Sequence, residues 1–119
     1  CHRVQGSGKN IGPDLSQVGS RLNREQLLES LLEPAKTITE GYRLYSLEMK
    51  SGEIQTGFLL ERAKENTRFR LLSGEELTMP TQSVLRFTDL PVSAMPAGLL
   101  QNLAPQEAAD LLAYLVSLR

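Results

Sequence analysis

Apolar residues recur along the chain with two different periods, which separate helical segments from extended ones. The first helical run begins after Asn23, three residues before Gln26, a spacing typical of a capping box. It ends before Pro34, so the pattern predicts a helix over about 24–33. The leucines that define this run are Leu27, Leu28, Leu31 and Leu32.

Between residues 41 and 88 apolar and polar positions alternate, which is typical of β-strands. Turn sequences such as Ser51-Gly52 and Ser73-Gly74 separate the runs, and Gly57 predicts a bulge. Five short strands at regular spacing predict a small β-barrel or sandwich, and the pattern is most like an SH3-like or Sm-like β-barrel. The apolar positions of the strands are Tyr45, Leu47 and Met49; Ile54, Phe58 and Leu60; Phe69 and Leu71; Leu77 and Met79; and Val84, Leu85 and Phe87.

The two ends of the chain have a different character. Residues 1–22 are rich in glycine and predict a loop with little regular structure. Helical character returns after Pro91, with a short helical turn predicted at 97–102 and a last helix beginning at Pro105. The apolar stripe of that helix comprises Ala108, Leu111, Leu112, Leu115 and Val116.

This order of elements predicts an α+β protein in which residues 35–90 are inserted into a unit built from 1–34 and 91–119. The two flanking segments together have only about 60 residues, which is marginal for burying a hydrophobic core. A large apolar cofactor held between them would supply the missing core.

Composition narrows the range of functions. The net charge of −1 and the absence of a long apolar run argue against nucleic-acid binding and against a membrane span. A single cysteine excludes an internal disulfide. Because His2 is the only histidine, it must supply any imidazole chemistry, which excludes mid-chain catalytic triads and zinc sites that need several His or Cys ligands.

Three features carry candidate chemistry. Cys1-His2 has the adjacency that a c-type haem requires, because the thioether and the axial bond must be reached from one short stretch. Residues 11–21 form a Gly/Pro-rich segment, and Met95 lies in a loop from which its thioether could reach an iron atom. Taken singly, these features have plainer interpretations: a chance pair, a loop before a capped helix and a core methionine.

The motifs occur in a fixed order: Cys1-His2, Gly12-Pro13-Asp14-Leu15, Val18-Gly19, Arg21, Ser93-Ala94-Met95-Pro96 and Asp110-Leu111-Leu112-Ala113-Tyr114-Leu115. This ordered set resembles class I cytochrome c. More narrowly, it is similar to a haem-binding domain expanded in planctomycetes and verrucomicrobia. In that family a β-rich stretch separates the leucine-rich helix from the methionine loop, and the resemblance covers nearly the whole chain.

The resemblance implies a cytochrome c-like helical haem domain, lacking the family's N-terminal helix, with an inserted small barrel. It implies that His2 and Met95 are the axial ligands of haem c iron and that Cys1 forms a thioether. The Pro13 carbonyl would accept a hydrogen bond from the other ring nitrogen of His2. Arg21 would pair with a haem propionate. The expected apolar pocket wall consists of Leu15, Val18, Leu27, Leu99 and Leu111.

The implied function is one-electron transfer, without catalysis, in the periplasm or another extracytoplasmic compartment. The expected partner is a redox protein or a fused dehydrogenase domain. The first cysteine of the family's motif is not in this sequence, so at most one thioether is expected. The stripe on the last helix would lack its usual helical partner and could pair with a second copy of the chain.

Two other functions stay open at this stage. The inserted barrel could recognise a partner, with the helical ends serving only for packing; the thinly spread aromatic residues argue against this. A gas or redox sensor would require a displaceable distal ligand, which methionine ligation permits.

Overall fold

The computed structural model describes all 119 residues and divides the chain into two compact units. The first, which we call the terminal unit, consists of residues 1–37 and 95–119. The second, the central unit, is the continuous segment 38–94. Each unit has its own cluster of buried apolar side chains.

The terminal unit contains a small hairpin and three helices. Its elements are β1 (Arg3–Val4), β2 (Ser7–Gly8), α1 (Val18–Arg21), α2 (Arg24–Leu32) and α3 (Pro105–Ser117). The hairpin and α1 lie within residues 1–22, for which the sequence predicted little regular structure, so this stretch has more regular structure than predicted.

The hairpin has a two-residue turn. Gln5 and Gly6 have φ angles of 48° and 85°, the positive values that a type I′ turn requires at both central positions. This turn matches the twist of the paired strands, in which Arg3 lies opposite Gly8. Glycine supplies one positive φ without strain, whereas Gln5 is the only non-glycine residue of the chain with positive φ.

The predicted helix at 24–33 is confirmed as α2. The Asn23 side chain accepts a hydrogen bond from the Gln26 N–H, and the Gln26 side chain accepts one from the Asn23 N–H, each at 2.9 Å. This reciprocal capping box satisfies two backbone donors at the start of the helix. The helix ends at Leu32, just before Pro34.

The last helix begins at Pro105, as predicted. Ala104 cannot cap it with a side chain, but its N–H donates to Glu107 Oε1 at 2.8 Å. Residues 97–102 do not form a helix; this stretch contains separate turns, one of them closed by the Gln101 N–H on the Gly98 carbonyl.

The apolar stripe of α3 packs within the terminal unit. Leu112 is buried, and Leu115 and Val116 are half-buried. They belong to a cluster whose buried members come from α1, α2 and the end of the chain. Pairing of this stripe with a second copy stays a prediction. The buried members are Val18, Leu27, Leu31, Leu112 and Leu118.

The central unit is an antiparallel sheet with the strand order β6-β5-β4-β3-β7. A single turn of 3₁₀ helix precedes the last strand. Leu47, Phe69 and Met79 form the main buried cluster of the sheet, and Leu44 and Phe58 are buried as well. The strands are β3 (Leu44–Met49), β4 (Ile54–Arg62), β5 (Asn66–Leu71), β6 (Glu76–Pro80) and β7 (Val84–Asp89).

The five predicted strands are present, but the predicted closed barrel is wrong. Strands β6 and β7 each pair on one side only and form the two edges of an open sheet. Alternation of apolar residues predicts strands, but closure depends on hydrogen bonds between the first and last strands of the order, which no local pattern contains.

The bulge predicted at Gly57 lies elsewhere. The register between β4 and β5 shifts between Leu59 and Glu61. At Gly57 a β-carbon would lie 2.1 Å from the carbonyl oxygen of Arg70, so glycine is needed there for close approach of the neighbouring strand.

The predicted cytochrome c-like helical fold is also wrong. The chain is mostly β-sheet, with a five-stranded and a two-stranded antiparallel sheet and three short helices. Helix α1 has four residues and α2 has nine. The ordered motifs suggested a helical fold. However, residues 1–17 and 90–104, which carry several of these motifs, form extended chain, turns and a hairpin.

Candidate functional site

His2 lies in a short stretch of extended chain, and backbone hydrogen bonds hold this stretch along residues 11–16. The Cys1 carbonyl accepts hydrogen bonds from the N–H groups of Ile11, at 3.0 Å, and Gly12, at 2.8 Å. The Arg3 carbonyl accepts one from Leu15 at 2.9 Å. Residues 1 and 3, on either side of His2, are therefore tied by their backbones to the neighbouring loop.

The side chain of His2 is held by the same loop. Its Nδ1 lies 2.7 Å from the Pro13 carbonyl oxygen. Because a carbonyl can only accept, this bond requires the proton on Nδ1 and, in the neutral ring, leaves a lone pair on Nε2. An imidazole oriented in this way is the form that binds a metal ion through Nε2.

Gly12 provides the space for the ring. A β-carbon at this position would lie 2.7 Å from Cε1 and 2.8 Å from Nδ1 of His2. Gly8 has a similar relation to the backbone, since a β-carbon there would lie 2.2 Å from the His2 carbonyl oxygen. The glycines that predicted only a loop are therefore contact positions around the histidine.

The turn that follows Pro13 is also held by side chains. The Ser16 N–H donates to Asp14 Oδ1 at 2.7 Å, and the Ser16 hydroxyl accepts from the Gln5 N–H at 2.7 Å. Hydrogen bonds from Ser16, and then the charges of Arg3 and Arg21, hold the pKa of Asp14 below its ordinary value of 3.8. The carboxylate therefore remains ionised and continues to accept from Ser16.

Arg21, expected to meet a haem propionate, has a partner within the chain. Its Nη2 donates to the Asp14 carbonyl oxygen at 2.9 Å, and the residue is exposed. The propionate role stays a prediction, while the observed contact links the end of α1 to the turn beside His2.

Met95 belongs to the same compact unit as His2. Its side chain is half-buried and packs against the apolar cluster of the terminal unit. Five residues were expected to form an apolar pocket wall, and four of them are members of this cluster. Leu99 differs, because it is 45% exposed. The four are Leu15, Val18, Leu27 and Leu111.

The apolar cluster of the terminal unit has a half-buried margin. Five buried residues are surrounded by nine partly buried apolar residues. The partly buried members are Val4, Leu15, Leu22, Leu28, Met95, Leu100, Leu111, Leu115 and Val116.

Cys1 is exposed and carries a free thiol. It directly precedes His2, so a bond from its sulfur and a bond from the imidazole would start from neighbouring residues. The terminal unit thus contains one oriented imidazole, one thioether and one free thiol, the side-chain types that the resemblance to cytochrome c requires. No three side chains of His, Cys, Asp or Glu converge as a metal-binding cluster.

A shallow groove runs along α2, but it contains none of the predicted ligand residues. Its chemistry is mostly polar, with Lys36 paired to Glu29 and lying 3.8 Å from Glu33. The residues that line it are Leu22, Gln26, Glu29, Ser30, Glu33, Lys36 and Thr37.

The sequence analysis missed an aromatic stack in the central unit. The rings of Tyr45 and Phe87 are stacked with their centroids 4.5 Å apart, and the Arg62 guanidinium lies 5.1 Å from the centre of the Phe87 ring. These residues are far apart along the chain, so their spacing in sequence did not indicate the group. Pairing of β3 with β7 brings the two rings together.

Comparison with known proteins leaves the family of the chain open. No protein-family model and no curated protein matches the sequence. None of the helices combines the length and the apolar character that a bilayer-crossing segment requires.

Proposed function

We propose that the chain binds haem through His2 and Met95 and transfers single electrons. The observation that carries the proposal is the hydrogen bond from His2 Nδ1 to the Pro13 carbonyl, which keeps the proton on Nδ1 and leaves the lone pair of the neutral ring on Nε2. The proposal does not require the helical cytochrome fold, since it depends on the local geometry of the loop around His2.

The residues of the chain would have distinct roles. Pro13 would orient the imidazole and keep its proton on Nδ1. Met95 would hold the iron together with His2, and Cys1 would attach the macrocycle by a thioether. Haem iron, when bound, supplies one-electron redox chemistry at a potential raised by the thioether ligand.

The half-buried margin of the terminal cluster supports this assignment. A porphyrin would cover apolar side chains that are otherwise partly in contact with water, at a gain of about 25 cal/mol per Å². With this function, the electron-transfer partner would be a redox protein or a fused dehydrogenase domain, and the protein would work in an extracytoplasmic compartment.

Titration of the purified chain with haemin tests the proposal. We expect a shift of the haem absorption bands to those of a six-coordinate, low-spin iron, and loss of that spectrum in His2→Ala. Absence of any shift in the wild-type chain would overturn the proposal. The pyridine haemochrome spectrum separately reports whether Cys1 has formed a thioether.

Met95 is tested by a volume-conserving change, Met95→Leu, with Met49→Leu as the matched control in the central unit. Because axial ligands set haem potentials over a range of about 0.8 V, Met95→Leu should lower the reduction potential by on the order of 0.1 V. The control should keep the wild-type potential. An unchanged spectrum and potential in Met95→Leu would show that Met95 is not a ligand.

Partner binding by the central unit is the second candidate function. It is favoured by the stack of Tyr45 on Phe87 and by the exposed Arg62 beside it, since aromatic and arginine side chains are enriched at protein interfaces. If the chain only binds a partner through its central unit, it should bind no haem. The titration with haemin therefore separates the two candidate functions.

A further inference from the structure

The peptide group between Asp14 and Leu15 is held at both of its ends. Its carbonyl oxygen accepts from Arg21 Nη2 at 2.9 Å, and its N–H donates to the Arg3 carbonyl at 2.9 Å. The neighbouring peptide group carries the Pro13 carbonyl, which accepts from His2 Nδ1. The two peptide groups meet at the Cα atom of Asp14, so a displacement of that atom moves both carbonyls.

The two bonds on this peptide differ in origin. The bond to Arg3 is a backbone bond that almost any sequence could make. The bond from Arg21 depends on a charged, forked side chain at the end of α1, and hydrogen bonds to charged donors are stronger than neutral ones. Arg21 is thus the side chain that connects a helix to the turn presenting the histidine's acceptor.

We propose that Arg21 is a positioning residue for His2: by holding the Asp14 carbonyl, it keeps the Pro13 carbonyl directed at Nδ1 and the lone pair of the ring on Nε2. This role differs from the contact with a haem propionate that the sequence suggested. It rests on the proposed function, because an imposed tautomer serves a metal ligand. It requires no bound haem to be observed.

The test uses the full chain without haem, at about pH 9, where imidazole side chains are normally neutral. Long-range ¹H–¹⁵N NMR correlation reports which ring nitrogen carries the proton, and the signal is unambiguous because His2 is the only histidine. The wild-type chain should show mainly the Nδ1–H form. In Arg21→Gln the ratio of Nδ1–H to Nε2–H should fall about fivefold, equivalent to about 1 kcal/mol.

The matched control is Arg24→Gln, which removes the same charge from an exposed position three residues along the chain. It should keep the wild-type ratio. Arg21→Lys retains the charge without the fork and should give a ratio below the wild-type one. If Arg21→Gln does not fold, Arg21→Lys carries the test by the same criterion.

A wild-type ratio in the folded Arg21 variant overturns the inference. An equal fall in Arg24→Gln also overturns it, because the effect would then be one of net charge. The haemin titration is scored separately: a chain that binds no haem overturns the proposed function, whereas the ratio of ring forms still decides whether Arg21 positions His2.

Discussion

The contacts around His2 are decided by single residues that have little or no side chain. Gly12 lies against the imidazole ring, and Gly8 lies against the His2 carbonyl. From the sequence these positions predicted only a loop with little regular structure, because glycine is common in loops. In the folded chain they are close contacts, and the absence of a β-carbon is what permits the ring to meet Pro13.

Replacing Gly12 by Ala should displace the His2 ring, because the new methyl group would lie 2.7 Å from Cε1. We expect loss of the bond to Pro13 and a decrease in the free energy of unfolding of about 1–3 kcal/mol. Chemical denaturation measures the second effect and NMR of His2 the first.

Gly6→Ala provides the control for this change. Gly6 has a positive φ of 85° but no atom within 4 Å of an added β-carbon. It should lower stability by about 1–2 kcal/mol through backbone strain alone and leave the ring form of His2 unchanged. A Gly12→Ala chain with an unaltered His2 spectrum would contradict the steric argument.

Glu76 gives a residue-scale prediction of pH dependence. A hydrogen bond from Arg70, with the charges of Arg70 and Arg68, holds the pKa of Glu76 below its ordinary value of 4.5. A lowered pKa in the folded chain means that the ionised carboxylate stabilises the fold above the unfolded pKa. This contribution is lost as the pH falls through the lower, folded pKa.

The Glu76→Gln variant should therefore unfold at a lower temperature than the wild type near neutral pH. The difference in melting temperature should shrink as the pH falls below the ordinary value of 4.5 and through the lower pKa of the folded chain, where the wild-type carboxyl group becomes protonated. Thermal unfolding followed across this range measures it. A difference that stays constant with pH would show that the charge of Glu76 does not contribute.

At the scale of elements, the helices are joined by one very close approach. The Gly19 N–H donates to the Leu118 carbonyl at 2.7 Å, and a β-carbon on Gly19 would lie 2.1 Å from the Val116 carbonyl oxygen. The start of α1 therefore lies directly against the end of α3. This contact brings Val18 into the same buried cluster as Leu112.

Gly19→Ala should separate α1 from the end of α3. Because the clash is with backbone atoms, which cannot move aside by a change of rotamer, we expect a loss of about 1–3 kcal/mol, at the upper end of that range. Ser20→Ala, at the next and exposed position, is the control and should change stability by less than about 0.5 kcal/mol. Urea denaturation of the two variants compares them, and equal stabilities would contradict the packing argument.

At the scale of the whole molecule, the chain forms two compact units, one of which is continuous in sequence. The central unit has its own buried residues, and its sheet contains no strand from outside 38–94. The terminal unit is assembled from the two ends of the chain. Its cluster depends on long-range contacts between α3 and the first two helices.

We expect the excised segment 38–94 to fold alone. Its length of about 57 residues lies in the range in which single domains fold with small margins of stability. Circular dichroism should show a cooperative thermal transition. Phe69→Ala, which removes a fully buried ring, should abolish that transition, since such changes cost about 3–5 kcal/mol. A segment with no cooperative transition would show that the central unit needs the rest of the chain.

The sequence by itself determined the local elements: the capped helix α2, the last helix beginning at Pro105 and the five strands. These follow from capping residues, apolar periodicity and turn residues, which act between neighbours along the chain. It also determined that His2 would be the only source of imidazole chemistry.

Only the tertiary structure decided whether the sheet closes, which group accepts the hydrogen bond from Arg21 and which groups lie against the glycines. Each of these features involves residues that are apart in sequence. They are the pairing of strands in the open sheet, the hydrogen bond from Arg21 to the Asp14 carbonyl and the stack of Tyr45 on Phe87. The physical reason is that such contacts depend on how folded segments meet, and local propensities do not contain that information.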